Sequence, residues 1–209
     1  MMDKPVLQEV LLPFGKTILQ YPNQGVSSDS KLLFDEITIN TDSGLNCLEL
    51  GSGNGIISLM LANYHPDWQI QGIDIQTDLV NLSQKNATIC QSQATFFEAD
   101  LKDINSDKKY DIIFSNPPFF QRGKFRLGDE EARNIARHEI MCQMPDVFAA
   151  VKRNLKPFGE AYLIYPRERL AQIETEAKKV DLILMTKKIL NHDKKVIVRF
   201  KHASNVVEI

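Results

Sequence analysis

The sequence predicts a doubly wound α/β fold: a mostly parallel sheet, helices on both faces, and an antiparallel hairpin at its C-terminal end. Three observations predict it. Short apolar runs alternate with helix-like segments along the chain. One run opens into a glycine-rich turn, Gly51-Ser52-Gly53-Asn54-Gly55. Acids then recur at the carboxyl ends of successive strand-like runs, the edge at which open α/β sheets bind ligands.

The elements follow in order. Asn46-Cys47-Leu48-Glu49-Leu50 reads as a buried strand, and after the glycine turn Ile56 to Ala62 has helical character that stops near Pro66. Strand, glycine turn and helix open a nucleotide-binding βαβ unit. The spacing here is G-x-G-x-G, with Ile56 where the dinucleotide fingerprint needs a third glycine, and Glu49 stands two residues before the first glycine. A carboxylate there disfavours a pyrophosphate and favours a cationic ligand. The next strand, Gln69 to Asp74, ends in an acid nineteen residues after Gly55, where such folds place a ribose-binding carboxylate. Thr77 to Cys90 is helical, with Leu79, Leu82, Ala87 and Cys90 on one face. Ala94 to Glu98 is a further strand leading into Ala99-Asp100-Leu101, and Asp111 to Ser115 another. Asp146 to Leu155 reads as a helix ended by Pro157 and Gly159, Glu160 to Tyr165 as a strand, and Arg167 to Val180 as a helix. Leu182 to Leu190 and Lys195 to Lys201 form a hairpin across Asn191-His192-Asp193.

The run Asp111 to Ser115 is followed by Asn116-Pro117-Pro118-Phe119. Each proline fixes its own φ, and Pro117 restricts Asn116 to extended angles. An amide oxygen and a nearby carbonyl are thereby held beside an aromatic ring. That combination suits a planar amine, with acceptors for its N–H groups and a face for stacking. The plainer reading, a proline-rich turn after a strand, competes only while the tetrad is taken alone.

Taken together, Glu49-x-Gly51-x-Gly53-x-Gly55, Asp74, Asp100 and Asn116-Pro117-Pro118-Phe119 resemble the motifs of class I S-adenosylmethionine-dependent methyltransferases, whose sheet is Rossmann-like. The tetrad resembles that of members acting on adenine N6, guanine N2 or a glutamine side-chain amide. Gly25-Val26-Ser27-Ser28-Asp29 before Leu32-Leu33, Phe120 after the tetrad, Ala136-Arg137-His138-Glu139 and Leu155-Lys156-Pro157-Phe158-Gly159 extend the likeness to the bacterial tRNA1(Val) adenine-37 N6-methyltransferases, over nearly the whole chain. Two positions depart from that pattern. Phe119 stands where tyrosine is common, so a hydroxyl is lost and the ring kept. Phe158 stands where a second glycine is frequent.

The resemblance implies S-adenosyl-L-methionine as cofactor, held by Glu49, Gly51, Ser52, Gly53, Gly55, Asp74, Ile75, Asp100 and Leu101. The glycine loop would pass under the methionine part, Asp74 would accept from the ribose hydroxyls, and Asp100 from the adenine amine beside Leu101. Glu49 would act through the loop backbone or the cofactor ammonium. Asn116 and the Pro117 carbonyl would hold the target amine. Pro118 stiffens the turn, and Phe119 would stack on a flipped base, a contact worth roughly 1–3 kcal/mol. Arg137-His138-Glu139 is either a base or a polar helix face.

Composition bounds the partners. At 209 residues, 43% apolar and 25% charged, the chain is expected to be a single globular domain, with residues 1–30 a cap segment over the cofactor cleft and 31–209 the catalytic core. No apolar run approaches the roughly 20 residues of a membrane span, and Met1-Met2-Asp3-Lys4-Pro5 lacks a secretory h-region. Cys47, Cys90 and Cys142 read as reduced core thiols of a cytoplasmic protein, and the four scattered histidines suggest no metal. Nothing calls for an obligate protein partner. Net charge is −2, yet residues 1–120 carry 7 Lys+Arg against 15 Asp+Glu, and residues 121–209 carry 18 against 12. That asymmetry points to a polyanion on one side, a tRNA under the resemblance. Arg122, Lys124 and Arg126 would be phosphate contacts around the target base, against the alternative of a solvated loop. Three rival readings remain: an N-methyltransferase for guanine N2 or a protein glutamine, a nicotinamide oxidoreductase, and a catalytically silent RNA-binding module. The missing third glycine and the tetrad oppose the second, the retained acids oppose the third, and a helical N-terminal substrate domain such as the glutamine enzymes carry is not expected in the first thirty residues.

Overall fold

The structure is a computed structural model that describes residues 6–22, 28–117, 142–190 and 194–202. It begins with a hairpin, β1 (Gln8–Leu11) and β2 (Thr17–Gln20), then α1 (Ser28–Ile37), β3 (Asn46–Leu50), α2 (Ile56–Tyr64), β4 (Gln69–Asp74), α3 (Thr77–Cys90), β5 (Thr95–Glu98) and β6 (Tyr110–Ser115). After the undescribed stretch come α4 (Met144–Asn154), β7 (Leu155–Pro166), a 3₁₀ turn (Arg167–Arg169), α5 (Leu170–Lys179), β8 (Leu182–Leu190) and β9 (Lys195–His202). Seven strands form one sheet in the order β5-β4-β3-β6-β7-β9-β8, parallel from β5 to β7 and antiparallel at β9 and β8. This is the doubly wound fold with a C-terminal antiparallel hairpin that the sequence predicts.

Strand alternation divides the core. On β7, Ala161, Leu163 and Tyr165 face α4 and α5, while Tyr162 and Ile164 face the layer of α1, α2 and the N-terminal hairpin. Both faces are apolar because both are covered, as parallel sheets require. Phe148 of α4 meets Phe200 of β9 edge to face, centroids 5.4 Å apart, and both are fully buried.

Four local expectations change. Residues 8–20 form a hairpin, and 28–37 a helix, where the sequence suggested no element. Helix α4 starts two residues earlier than expected, because Asp146 Oδ2 accepts the Gln143 amide at 2.8 Å and Pro145 lies in the first turn, where no N–H is missed. It also ends at Asn154, one residue before the expected Leu155 and by a strand rather than by Pro157 and Gly159. Leu155 already pairs with Tyr110, and the next paired residue after the break in register is Glu160, opposite Ile112. Pro157, Phe158 and Gly159 thus form a bulge within β7. The helix expected over 167–180 is divided into the 3₁₀ turn and α5. The turn 191–193 lies outside the described residues.

The bulge shows why glycine suits one position at which this chain departs from the family pattern. Phe158 sits at φ 67°, in the left-handed region, with its ring 72% exposed. A Cβ costs about 1–2 kcal/mol there, and the exposed ring returns little by burial. Phe158→Gly should therefore stabilise the protein by about 0.5–1 kcal/mol, a rise of a few degrees in melting temperature read by thermal denaturation. No rise, or a fall, would show that the ring contributes packing that its exposure hides.

Candidate active site

The order of strands reverses between β3 and β6, and open α/β sheets bind ligands at the carboxyl ends of strands at such a point. A cleft of about 320 Å³ opens there. The chain builds it from the glycine turn outward. Gly51, Gly53 and Gly55 have φ of 70°, 55° and 83°. A Cβ on Gly53 would meet nothing within 4 Å, so its backbone faces open space in the cleft. A Cβ on Gly55 would lie 2.7 Å from the Phe96 ring of β5. Gly55 is thus a packing glycine under the loop, and of the residues expected to hold the cofactor it alone does not line the cleft.

Three clasps hold the turn. Asp74, at the end of β4, accepts the Gly53 amide on Oδ2 and the Gln76 amide on Oδ1, both at 3.0 Å. Glu49 is 2% exposed and accepts the Ser58 hydroxyl at 2.5 Å and, on the same Oε2, the Ser58 amide at 3.3 Å. Asn86 of α3, fully buried, donates from Nδ2 to the Asn54 carbonyl and to the Leu19 carbonyl, both at 2.9 Å, while its Oδ1 accepts the Leu19 amide at 2.8 Å. The loop, α3 and the N-terminal hairpin are thereby joined through one side chain. Among the described residues of the first thirty, Ser30 lines the cleft and the hairpin residues do not.

The far wall is β6. The Ser115 hydroxyl donates to the Leu50 carbonyl at 2.6 Å, tying the end of β6 to the end of β3. Asn116 and Pro117 follow at once and line the cleft opposite the glycine turn. Ile75, Asp100 and Leu101 line it from the β4 and β5 side, with Asp100 accepting the Lys102 amide at 2.9 Å and pairing with its ammonium at 3.3 Å. Pro118, Phe119, Arg122, Lys124, Arg126 and Arg137-His138-Glu139 lie outside the described residues. Cys142, expected in the core, instead lines the cleft just before α4, while Cys47 and Cys90 are buried. No three His, Cys, Asp or Glu side chains among the described residues are grouped as a metal site would need. No described helix is long and apolar enough to cross a membrane.

Sequence reasoning missed Ser58, Asn86 and Ser115. Asn86 carried a signal: it lies four residues after Leu82 and seven after Leu79, a polar side chain on the apolar face of α3.

The pattern that defines the methyltransferase small domain matches residues 20–168. This chain belongs to the methyltransferase small domain family. The family's sheet is seen in the methyltransferase of Pyrococcus furiosus, which this chain matches at a TM-score of 0.67 and 18% identity over 91% of each chain. At that identity the likeness is one of fold. Among relatives, the tRNA1(Val) (adenine(37)-N6)-methyltransferase of Porphyromonas gingivalis is 30% identical over 145 residues, 66% of this chain and 56% of that protein. The release factor glutamine methyltransferase of Streptococcus pneumoniae is 37% identical over 86 residues, 41% of this chain and 30% of that protein. The chain thus spans little more than half the length of the first of these relatives, and less of the second.

The cleft has a distinct electrostatic character. Glu49, Asp74 and Asp100 all line it, and among the described residues no Lys or Arg does. Burial, less the help of the two Ser58 hydrogen bonds, pushes the Glu49 carboxyl up to about 8, and the neighbouring Asp74 charge pushes the same way. Glu49 is therefore mostly protonated at neutral pH. Its pKa in the fold lies above the 4.5 of an unfolded glutamate, so its stabilising contribution is fully present below pH 4.5 and lost as pH rises through about 8. Glu49→Gln, which keeps the neutral shape, should remove that loss. Melting temperatures of wild type and variant should diverge in favour of the variant as pH is raised from about 6 to 9. Parallel curves would show that Glu49 titrates as an ordinary glutamate.

Proposed function

We propose that this protein transfers a methyl group from S-adenosyl-L-methionine to the exocyclic N6 amine of an adenine in tRNA, adenine 37 of a valine tRNA being the candidate. One observation carries the reading: Asn116 and Pro117 line the same cleft as Gly51, Gly53, Asp74 and Asp100. An amine-holding corner and a cofactor cradle then share one cavity. The match to the methyltransferase small domain and the 30% identity to an enzyme named for this reaction support it.

The cleft suits the cofactor. Its wall combines apolar side chains, Ile73, Ile75, Leu79 and Leu101, with carboxylates at two separate strand ends. That is the composition of a site for an adenosine carrying a positively charged tail. Asp74 keeps acceptor capacity beyond its two backbone bonds for ribose hydroxyls, and Asp100 is placed to accept from an adenine amine. Glu49 and Asp74 are the groups that would receive the ammonium. When bound, the cofactor supplies an already activated methyl group on a sulfonium.

The chain supplies position. The adenine nitrogen is a weak nucleophile because its lone pair is delocalised into the ring. The Asn116 amide oxygen and the Pro117 carbonyl accept its two N–H groups out of the ring plane. That favours a pyramidal nitrogen and turns the lone pair toward the methyl carbon. Pro117 fixes Asn116 in extended backbone, and the Ser115–Leu50 bond fixes the strand below it, so little order is lost at the moment of reaction. The Phe119 ring would hold the flipped base by stacking. With the cofactor bound, the proton displaced from the amine would leave to solvent. The substrate meets the enzyme in the cytoplasm, where tRNA is.

The test is transfer of label from S-adenosylmethionine into RNA from bacteria lacking this modification, followed by nucleoside analysis. Label in N6-methyladenosine of the tRNA fraction is the expected result. Label in a protein glutamine instead would replace the substrate and keep the chemistry, in line with the Streptococcus relative. Asn116→Ala should lower kcat by about 10²-fold or more while cofactor affinity stays within about twofold, read by single-turnover assay and calorimetry. An Asn116→Ala protein with full turnover would remove Asn116 from the reaction.

A further inference from the structure

The carboxyl edge of the sheet is polarised along its length. On the β4–β5 side of the cleft stand Asp74, Glu98, Asp100 and Asp103, with Lys102 the one described cation among them. On the far side, at the end of β7 and the start of β9, stand Arg167, Arg169, Lys194 and Lys195, with Asp29 and Glu168 the described acids. The backbone welds this basic group together. The Arg167 amide donates to the Lys194 carbonyl at 2.9 Å, and Pro166 pairs with Lys195 across β7 and β9. Arg169 lies over the Tyr165 ring at 5.7 Å, and Lys195 is taken up by Asp29 of α1. Among the described residues cations outnumber acids on this rim, four to two, so it keeps a positive excess whatever pairs form within it, and Arg167, Glu168 and Lys194 are its exposed members. The lysines in the middle of β8 carry no such excess, since Lys187 is matched by Glu174 and Lys188 by Glu36.

Position gives the rim its meaning. Ser115, the last residue of β6, pairs with Leu163. Strand β7 runs three residues further to Pro166, so the rim stands roughly 10 Å beyond the Asn116 corner along the strand direction. We infer that the rim at Arg167 and Lys194 is where the phosphate backbone of the RNA crosses the sheet edge, entering from the β7–β9 side. This rests on the reading that the substrate is an RNA. The acids of β4 and β5 repel the same backbone, so among the described parts of the edge the rim is the side that favours the polyanion, and the cofactor cradle stays clear of it. Contacts of this kind orient the nucleic acid without reading its bases. Each one carries a salt dependence, because a phosphate neutralised by a cation releases its counterion.

The probe is a transcribed valine tRNA, with binding measured against salt by fluorescence anisotropy. In Arg167→Glu/Lys194→Glu, affinity should fall by roughly tenfold or more near 100 mM salt, and the slope of log K against log salt should become shallower by about 0.7–0.9 for each phosphate no longer neutralised. Cofactor affinity and melting temperature should not change. Lys85→Glu/Lys178→Glu carries the same change in net charge on exposed helix positions away from the edge, and should bind nearly as wild type does. Arg167→Gln/Lys194→Gln should give an intermediate loss if the charge reversal disturbs folding. Equal losses in the edge and helix variants, or wild-type affinity and slope in the edge variant, would overturn the inference while leaving the function standing. A wild-type protein that binds cofactor but neither binds nor methylates any tRNA would overturn the proposed function, and this inference with it.

Discussion

Between β3 and α2 the chain takes three left-handed residues in five, and the site depends on that turn staying closed without a ligand. Glycine permits the conformation but does not hold it. The holding is done by buried polar side chains drawn from three elements: Asp74 from β4, Glu49 from β3 and Asn86 from α3. A hydrogen bond of this kind is worth about 1 kcal/mol net, but stranding either partner in the interior costs about 1–3 kcal/mol. The turn is thus locked less by what its bonds contribute than by what their loss would cost. A ligand arriving at Gly53 then finds the amide backbone already ordered, and less of its binding energy goes into ordering the loop.

The same clasps set the charge of the cleft. Asp74 accepts the loop amide of Gly53 and the Gln76 amide just past its own strand end, and it lines the cleft with acceptor sites remaining. Glu49 is deeper, on the α2 face of β3, and neither its neighbours nor the cleft wall bring it a cation among the described residues. A buried carboxyl in that position holds its proton until a positive group reaches it. A pyrophosphate would meet these acids with no positive side chain among the described lining residues to offset its charge. The acid two residues before the first glycine, first seen as a spacing anomaly, is buried and lines the cleft.

Much of the sheet was legible from sequence because its strands are buried on both faces and bounded by turn residues. Asn46–Leu50, Gln69–Asp74, Leu182–Leu190 and helix Thr77–Cys90 match their expected limits residue for residue. The errors have a common cause. Residues 8–20 form a hairpin whose first strand is mostly exposed, so its alternation is weak. Leu155 joins the sheet through pairing with Tyr110, a partner distant in sequence that overrides the local proline and glycine signals. In the site, the acids and glycines announced themselves by spacing. Ser58, Asn86 and Ser115 did not, because a serine or asparagine in a helix or strand has many uses and only the fold selects one.

The charge split in the sequence, acidic before the tetrad and basic after it, becomes a spatial split across the topological switch point. Chain order and strand order run together on either side of that point: β3, β4 and β5 step one way from it, β6, β7 and β9 the other. The charge bias of these strands and the turns that follow them is thereby carried to the two sides of the cleft, with α1 the exception, since its Asp29 and Glu36 pair with Lys195 and Lys188 on the basic side. The reaction under this reading joins a cationic donor to a polyanionic acceptor, two ligands that attract each other and would compete for any site of mixed charge. Separating the acids from the cations across the switch point gives each ligand one favourable side, and leaves the uncharged Asn116 corner at the boundary, where the two must touch.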